Sequence, residues 1–371
     1  MKFTSDRSSL LSALQQLGRV TPTRSTLPIL SSVLVSTEEE KILLRATDLE
    51  ISQSISIPAK IAAEGSVAVS HRTLQEIIAE MPEGELQIEV LDDRRVQLTT
   101  SFGNYSIMGK PTEEFPALPE ISNIQSVEFE SDLLKKVIEK TAFAVSRDDL
   151  KPSLVGVLFR FETDNLKVVA TDGHRLVRYT KSNYSVDSYQ GDHILPVKFL
   201  SILSGYLEEG EKVSLKIGAN HIMIQNGNTT LYSRLIEERF PDYESVFPSD
   251  NDKWFKTNRN ELLSTVKRVS IFSNKTTHQI AFRLDADELE VSTEDVETVS
   301  SAREGLPCEY QGDPLVIGYN SYYLFDILSH LDGEIVKGEF KSPVSAAIFY
   351  DDEAADDEEL MMLLMPIRLN D

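Results

Sequence analysis

Cysteine is nearly absent. The 371 residues contain one, Cys308, which rules out an intramolecular disulfide and a cysteine-based zinc site. Histidine is scarce too: His71, His174, His193, His221, His278 and His330 fall at no metal-ligand spacing. No run of about 18 apolar residues occurs, and Asp6 and Arg7 stand where a signal peptide would need its apolar stretch. The expectation is a cytoplasmic protein of a reducing compartment. Missing as well are G-x-x-x-x-G-K-[ST], a G-x-G-x-x-G opening a helix, H-E-x-x-H and G-x-S-x-G, and with them the usual signatures of nucleotide and hydrolytic chemistry. Positive charge is in short supply, 37 Lys and Arg against 60 Asp and Glu for a net −23. Spread evenly, that charge would repel a nucleic-acid duplex.

What is present is repetition. The chain is long enough for two or three domains, and Phe-x-[Ser/Thr]-[Asp/Asn] occurs at Phe3, Phe129 and Phe255, with the same spacing each time. Each copy reads as a short strand entering a helix, with Asp6, Asp132 and Asn258 as N-caps. Helical apolar stripes follow at Leu10, Leu11, Leu14 and Leu17, at Leu134, Val137, Ile138 and Thr141, and at Leu262, Leu263, Val266 and Val269. Further markers recur in one order. An apolar residue at Val69, Leu195 and Ile317 opens a second helix, and Gly84, Gly210 and Gly333 close that unit. Between the helices come Thr47-Asp48, Thr171-Asp172 and Thr293-Glu294, and Tyr105-Ser106 with Phe115-Pro116 matches Tyr232-Ser233 with Phe240-Pro241. A tandem triplication explains all of these together.

Runs such as LQIEVLDDRRVQLTT and EKVSLKIGANHIMIQ alternate with period two between Gly, Asn and Asp turns, the mark of half-buried antiparallel strands. The fold class is therefore α+β, three tandem units of two helices packed on an antiparallel sheet. Polar or proline-bearing joints at ALPEISNIQ and FPSDNDK set the domains at residues 1–124, 125–252 and 253–371.

The charge is not spread evenly. Residues 6–24, 131–147 and 258–275, the first helix of each unit with its exit, together carry +7 and leave −30 on the remainder. On helical wheels Arg19, Lys136, Lys140 and Arg268 fall opposite the apolar stripes. A basic face repeated three times in an acidic protein suits a regular polyanion held through phosphates, without base reading. The second helices add only Arg72 and Lys198 against several acids.

The one enzyme-like constellation lies in VVATDGHRLVRY, where Asp172 could orient His174 from the same strand face. Asp172 nevertheless sits at a repeat position shared with Asp48 and Glu294, so it reads as a turn residue. A hydrolase centred on Asp172 and His174 is the lesser reading, and a monomeric DNA-binding module is another. The run DDEAADDEE, residues 351–359, reads as a solvated loop, without the glycine turns of a calcium site.

Three units of this length, with ATDGHRL in the second, LPILSSVL and RATDLEI in the first, RFPDY closing the second and a final MPIRL, closely resemble the bacterial DNA sliding clamp family, the beta subunit of DNA polymerase III. The resemblance spans the chain. It implies a processivity factor and not an enzyme: a ring made by a head-to-tail homodimer, helices inside and sheets outside, encircling duplex DNA without cofactor or metal. It implies a pocket for short peptides of the replicative polymerase subunit, the clamp loader, other polymerases and repair proteins. By motif that pocket takes Leu154, Thr171, Gly173, His174, Arg175, Leu176, Pro241 and Val246, then Asn320, Tyr323, Val344, Leu363, Leu364, Met365, Pro366, Ile367, Arg368 and Leu369. Arg24, Arg72, Arg147 and Lys151 join Lys136, Lys140, Lys198 and Arg268 as DNA-facing candidates. Tyr105 and Ile107, with Ile271 and Phe272, are candidates for the dimer joint; Ile271 and Phe272 also fit a helix end packed in its own core. The chain runs past MPIRL by Asn370 and Asp371, and the register of residues 273–284 is not fixed by the sequence.

Overall fold

Each phenylalanine motif becomes a strand that runs straight into a helix. In the computed structural model, which describes residues 1–185, 189–353 and 357–369, strands Lys2–Asp6, Gln125–Glu130 and Lys253–Asn258 lead into α1 (Arg7–Leu17), α3 (Ser131–Thr141) and α5 (Arg259–Ser270). Asn370 and Asp371 lie outside the described residues. Asp6 caps α1 by accepting from the Ser9 amide at 2.9 Å, and Asn258 caps α5 by accepting from Glu261 at 3.1 Å. The second copy departs from the expectation. Its helix already begins at Ser131, so Asp132 lies inside the first turn and its carboxylate accepts from the Gly210 amide at 3.2 Å.

The second helices are α2 (His71–Ala79), α4 (Val197–Ser204) and α6 (Ser321–His330). Val69, Leu195 and Ile317 do not open them. These residues lie in the preceding strands, buried on the sheets. The apolar stripes behave as read: Leu10, Leu14 and Leu17 of α1, Leu134 and Val137 of α3, and Leu262, Val266 and Val269 of α5 are buried. α1 packs on α2 and α5 on α6, and the two pairs are joined alike. Arg7 Nε donates to Ile78 O at 2.9 Å with a second bond to Ala79 O, while Arg259 donates to Gly333 O at 2.9 Å and Leu328 O at 3.2 Å. Both guanidinium groups close the carbonyl end of the neighbouring helix, where cations are favoured. Part of the positive charge summed over the helices thus serves the scaffold.

Two compact units result, Met1–Asp132 with Ser201–Leu235, and Leu133–Leu200 with Ile236–Asp371. In the first, strand Ile51–Pro58 pairs antiparallel with Thr229–Arg234, Ile51 opposite Ser233, which joins four strands of the first copy to four of the second in an eight-stranded sheet. Its other sheet has five strands and ends at Asn104–Met108. In the second unit, Arg175–Ser182 pairs with Glu358–Leu364, Leu176 opposite Leu363, inside a nine-stranded sheet, and a four-stranded sheet ends at Ser300–Pro307. The repeat and the compact packing therefore divide the chain differently, because strand pairing carries each large sheet across a repeat joint. Residues 273–284 acquire a register here: strand Gln279–Asp285 lies between Glu288–Asp295 and Leu315–Asn320. Among the described residues no helix is long and apolar enough to cross a membrane.

Candidate functional site

The Thr-Asp turns show the repeat at the level of single hydrogen bonds. In the second copy Thr171 Oγ1 donates to Arg175 O at 2.6 Å and accepts from Gly173 N at 3.1 Å, while Asp172 Oδ1 accepts from the amides of His174 and Arg175 at 2.9 and 3.0 Å. In the first copy Thr47 bonds Ile51 O at 2.9 Å and Leu49 N at 3.0 Å, and Asp48 takes the amides of Glu50 and Ile51 at 3.0 and 2.7 Å. The chain turns through positive φ at Leu49 (82°) and at Gly173 (90°), a conformation that glycine adopts without steric cost. The third copy corrects the sequence alignment. Glu294 stays in its strand opposite Ser301, and the turn acid is Asp295, accepting from Glu297 N and Thr298 Oγ1 at 3.2 and 2.8 Å.

This geometry answers the enzyme reading. Asp172 Oδ1 holds two amides and Oδ2 accepts from Arg175 Nε at 3.2 Å, while the exposed His174 ring stacks on Tyr323, centroids 5.8 Å apart. The acid orients its own backbone and not the imidazole. The lone thiol is no nucleophile either: Cys308 is buried, and that burial, with Asp287 and Glu288 nearby, pushes it up to about 11.

Beside the turn lies a buried apolar cluster. Leu154, Leu176 and Leu363 are buried in one cluster with Leu158, Val169, Ile194, Phe240 and Tyr243, flanked by Ile236, Phe247 and Ala346. Pro241, Val246, Val344 and Met365, assigned to the same pocket by motif, are exposed. Motif matching named three residues of this cluster, Leu154, Leu176 and Leu363. It missed Phe240, Tyr243 and Phe247, although RFPDYESVF carries them all. Tyr243 is fixed from behind by Arg160, whose guanidinium sits 5.2 Å above the ring and is itself held by Asp192 at 2.9 Å.

Several residues assigned to the peptide pocket are engaged by partners within the fold. Arg175 is buried, its guanidinium bonded to Asp172, Asp326 and Phe143 O and stacked over the rings of Phe143 and Tyr323 at 5.1 and 4.8 Å. Thr171 is a buried turn residue, and Asn320 caps α6 by accepting from Tyr322 N at 3.0 Å. Leu364 is fully buried and alternates away from Leu363. The tail Met365–Leu369 leaves the sheet along strand Leu315–Asn320: Met365 N donates to His174 O and Ile367 N to Gly318 O, each at 2.9 Å. Gly318 is required for this approach, since a Cβ there would stand 2.6 Å from Ile367 O. Pro366, Ile367 and Leu369 are half-buried by it, and Arg368 is exposed.

The basic candidates divide. Arg24, Arg147, Lys151 and Lys198 are exposed. Arg72 is exposed but pairs with Glu76 at 2.8 Å, Arg268 pairs with Glu304 at 2.6 Å and holds that carboxyl below its usual range, and Lys136 pairs with Glu358. Lys140 does not belong with them. It is 8% exposed, its ammonium donating to His330 O at 2.7 Å and to Asp332. The helical wheel showed it facing away from its own sheet but could not show what lies on that side.

Two sheet edges carry exposed apolar side chains. In the first compact unit, edge strand Asn104–Met108 presents Tyr105 and Met108, with half-buried Ile107 and the neighbouring Phe102. In the second, Ser300–Pro307 is an edge strand, and Ile271 and Phe272 beyond α5 are 65% and 44% exposed. That exposure excludes packing of Ile271 and Phe272 in their own core.

Three family models match in succession: the N-terminal domain of the DNA polymerase III beta subunit over residues 1–119, its central domain over 128–242 and its C-terminal domain over 244–368. The chain is similar to the beta sliding clamp of Chlamydia muridarum, 28% identical with all of both chains covered, and to that of Vibrio cholerae, 30% identical with the same coverage. A crystal structure of the DNA polymerase sliding clamp from Bacillus subtilis superposes over the full length of both chains with a TM-score of 0.94 at 25% identity.

Proposed function

The chain belongs to the bacterial beta sliding clamp family, the beta subunit of DNA polymerase III, and on that premise we propose that two copies close head to tail into a ring around duplex DNA. Its function is that of a polymerase processivity factor, an accessory subunit without catalysis of its own. The observation that carries the ring is the pair of unpartnered sheet edges, one in the first repeat at Asn104–Met108 and one in the third at Ser300–Pro307. An exposed edge with apolar neighbours is an association surface that a soluble protein ordinarily covers. Joining unlike edges is a heterologous contact, and it closes only if the rotation per subunit permits.

Within such a ring the exposed Arg24, Arg72, Arg147, Lys151, Lys198 and Arg268, with the half-buried Lys136, are the proposed phosphate contacts. Lysine and arginine contacts of this kind are base-blind and salt-sensitive. Retention would then come from topology and not from affinity. A loaded ring is expected to stay on a nicked circular duplex and to be released once the circle is cut; equal retention on linear DNA overturns the reading. Dimerisation has its own check. Ile271→Glu places a charge at the joint and is expected to convert the species seen by light scattering from two chains to one, 41.7 kDa, while the circular dichroism spectrum stays unchanged.

The groove beside Leu176 and Leu363 is the proposed docking site for short peptides of the polymerase, clamp loader and repair proteins. Two or three apolar anchors at about 1.5–3 kcal/mol each, less the cost of ordering the peptide, give dissociation constants on the order of micromolar. Docking of that strength lets partners exchange.

A further inference from the structure

The strand pairing that builds the apolar cluster around Leu176 recurs in the first compact unit with different side chains on it. In the second unit Leu158 stands opposite Val169 and Ile194, and Leu176 opposite Leu363. In the first unit the same registers set Leu34 opposite Arg45 and Ala68, and Ser52 opposite Tyr232. Phe115 takes the place of Phe240, buried in one cluster with Leu30, Leu34 and Ala68. The frame is kept, while three of its apolar positions have become arginine, serine and tyrosine.

Two features of this face are not explained by packing. The Arg45 guanidinium lies 5.9 Å from the centre of the Phe115 ring, and its buried Nε has no hydrogen-bond partner among the described residues. Glu38, the acid whose charge reaches it, pairs with Lys41 at 3.4 Å. A half-buried cation without a counter-charge is costly and calls for an anion. The other feature is Leu49. It holds the turn position of Gly173 at a φ of 82°, where a bulky side chain is strained, and it is 55% exposed, so burial does not offset the strain. With Pro116, Pro119, His221 and Tyr232 it walls a cavity of about 110 Å³, with exposed Glu50 at the rim. Tyr232 joins the two features, since it borders the cavity and also feels the charge of Arg45.

We propose that this face is a docking site for a short segment of a partner protein in which an apolar side chain adjoins a carboxylate. The apolar side chain enters between Leu49 and the two prolines, and the carboxylate reaches past Tyr232 to Arg45. The sign of the occupant follows from the cations left open. Besides Arg45 there is Lys110, opposite Ala68 on the same face, whose ammonium reaches only a carbonyl, Pro28 O, at 2.8 Å. Glu113 and Glu114, between Lys110 and Phe115, are exposed and make no ion pair among the described residues. The proposal rests neither on ring closure nor on the peptide pocket beside Leu176.

The blocked dipeptides N-acetyl-Phe-Asp-amide and N-acetyl-Asp-Phe-amide are the probes, titrated into the full chain with isotope-labelled leucine and alanine methyl groups. Saturable shifts of the Leu49 and Ala117 methyl signals are expected with at least one order of residues, at millimolar concentration for so small a ligand. Asn in place of Asp should weaken that binding about tenfold. Arg45→Met removes an unpaired cation, so the melting temperature holds or rises while dipeptide affinity falls about tenfold. Leu49→Gly relieves the backbone and raises the melting temperature, yet weakens binding. Leu363 methyl signals report the other pocket in the same spectra, so the two docking readings fail separately. Unshifted Leu49 and Ala117 signals with both dipeptides, equal affinity for the Asn forms or in the Arg45 variant, or displacement by an equal concentration of inorganic phosphate each overturn the assignment.

Discussion

Leu176→Ala is expected to raise the dissociation constant of a docking peptide by about 10- to 100-fold, the loss of one buried aliphatic anchor. Leu176 is 3% exposed and stands opposite Leu363 in the paired strands, so both leucines share one floor with Phe240 and Tyr243. The substitution opens a cavity beneath the groove and costs stability as well, about 2–5 kcal/mol for a buried leucine. Fluorescence polarisation must therefore be read well below the melting transition and beside a variant that leaves the core alone. Val246→Ser serves that purpose, because Val246 is exposed at the margin and its loss leaves no buried void. It is expected to weaken peptide binding about threefold with an unchanged melting temperature. Light scattering should report the same oligomer for both variants, since neither residue lies on the exposed sheet edges. Peptide affinity at the parental level in both would remove the groove from the docking reading.

The sequence revealed repetition better than proximity. Phe3, Phe129 and Phe255 mark a strand entering a helix because that transition is local: a β-region cap and a 3.6-residue stripe need no distant partner. The Thr171-Asp172 turn was legible for the same reason, its bonds all closing within four residues. Glu294 was misassigned because the third hairpin pairs on past the repeat threonine, Thr293 standing opposite Ala302 where Thr171 stands opposite Leu176, so the acid that turns the chain moved to Asp295. Lys140 and Arg175 failed differently. A basic residue opposite its own apolar stripe reads as solvated until the fold supplies Asp332 and His330, or Asp326 and Phe143, from remote parts of the chain. The groove floor fell between these cases. RFPDYESVF follows neither a helical nor a strand period, since Phe240, Tyr243 and Phe247 converge from a loop and a single 3₁₀ turn, Glu244–Val246.

Arg175→Met separates a residue that builds the groove from one that lines it. The parental guanidinium bridges the turn acid Asp172, Asp326 of α6 and the carbonyl of Phe143, between two aromatic faces. Methionine keeps the apolar stem but supplies no donor, which leaves Asp172, whose side chain is largely buried, without its counter-charge. Breaking a buried ion pair costs about 3–5 kcal/mol. Asp326 can rehydrate, with a side chain 40% exposed, and lowers that figure to about 2–4 kcal/mol. For a unit of roughly two hundred residues this is a fall of roughly 5–15 °C in its melting transition, measurable by scanning calorimetry. Arg175→Lys should recover little, because a point ammonium cannot hold three acceptors in one plane or stack between Phe143 and Tyr323. A residue that merely touched the peptide would behave in the opposite way. Its loss would weaken docking and leave the melting transition in place, and that outcome would return Arg175 to the groove wall.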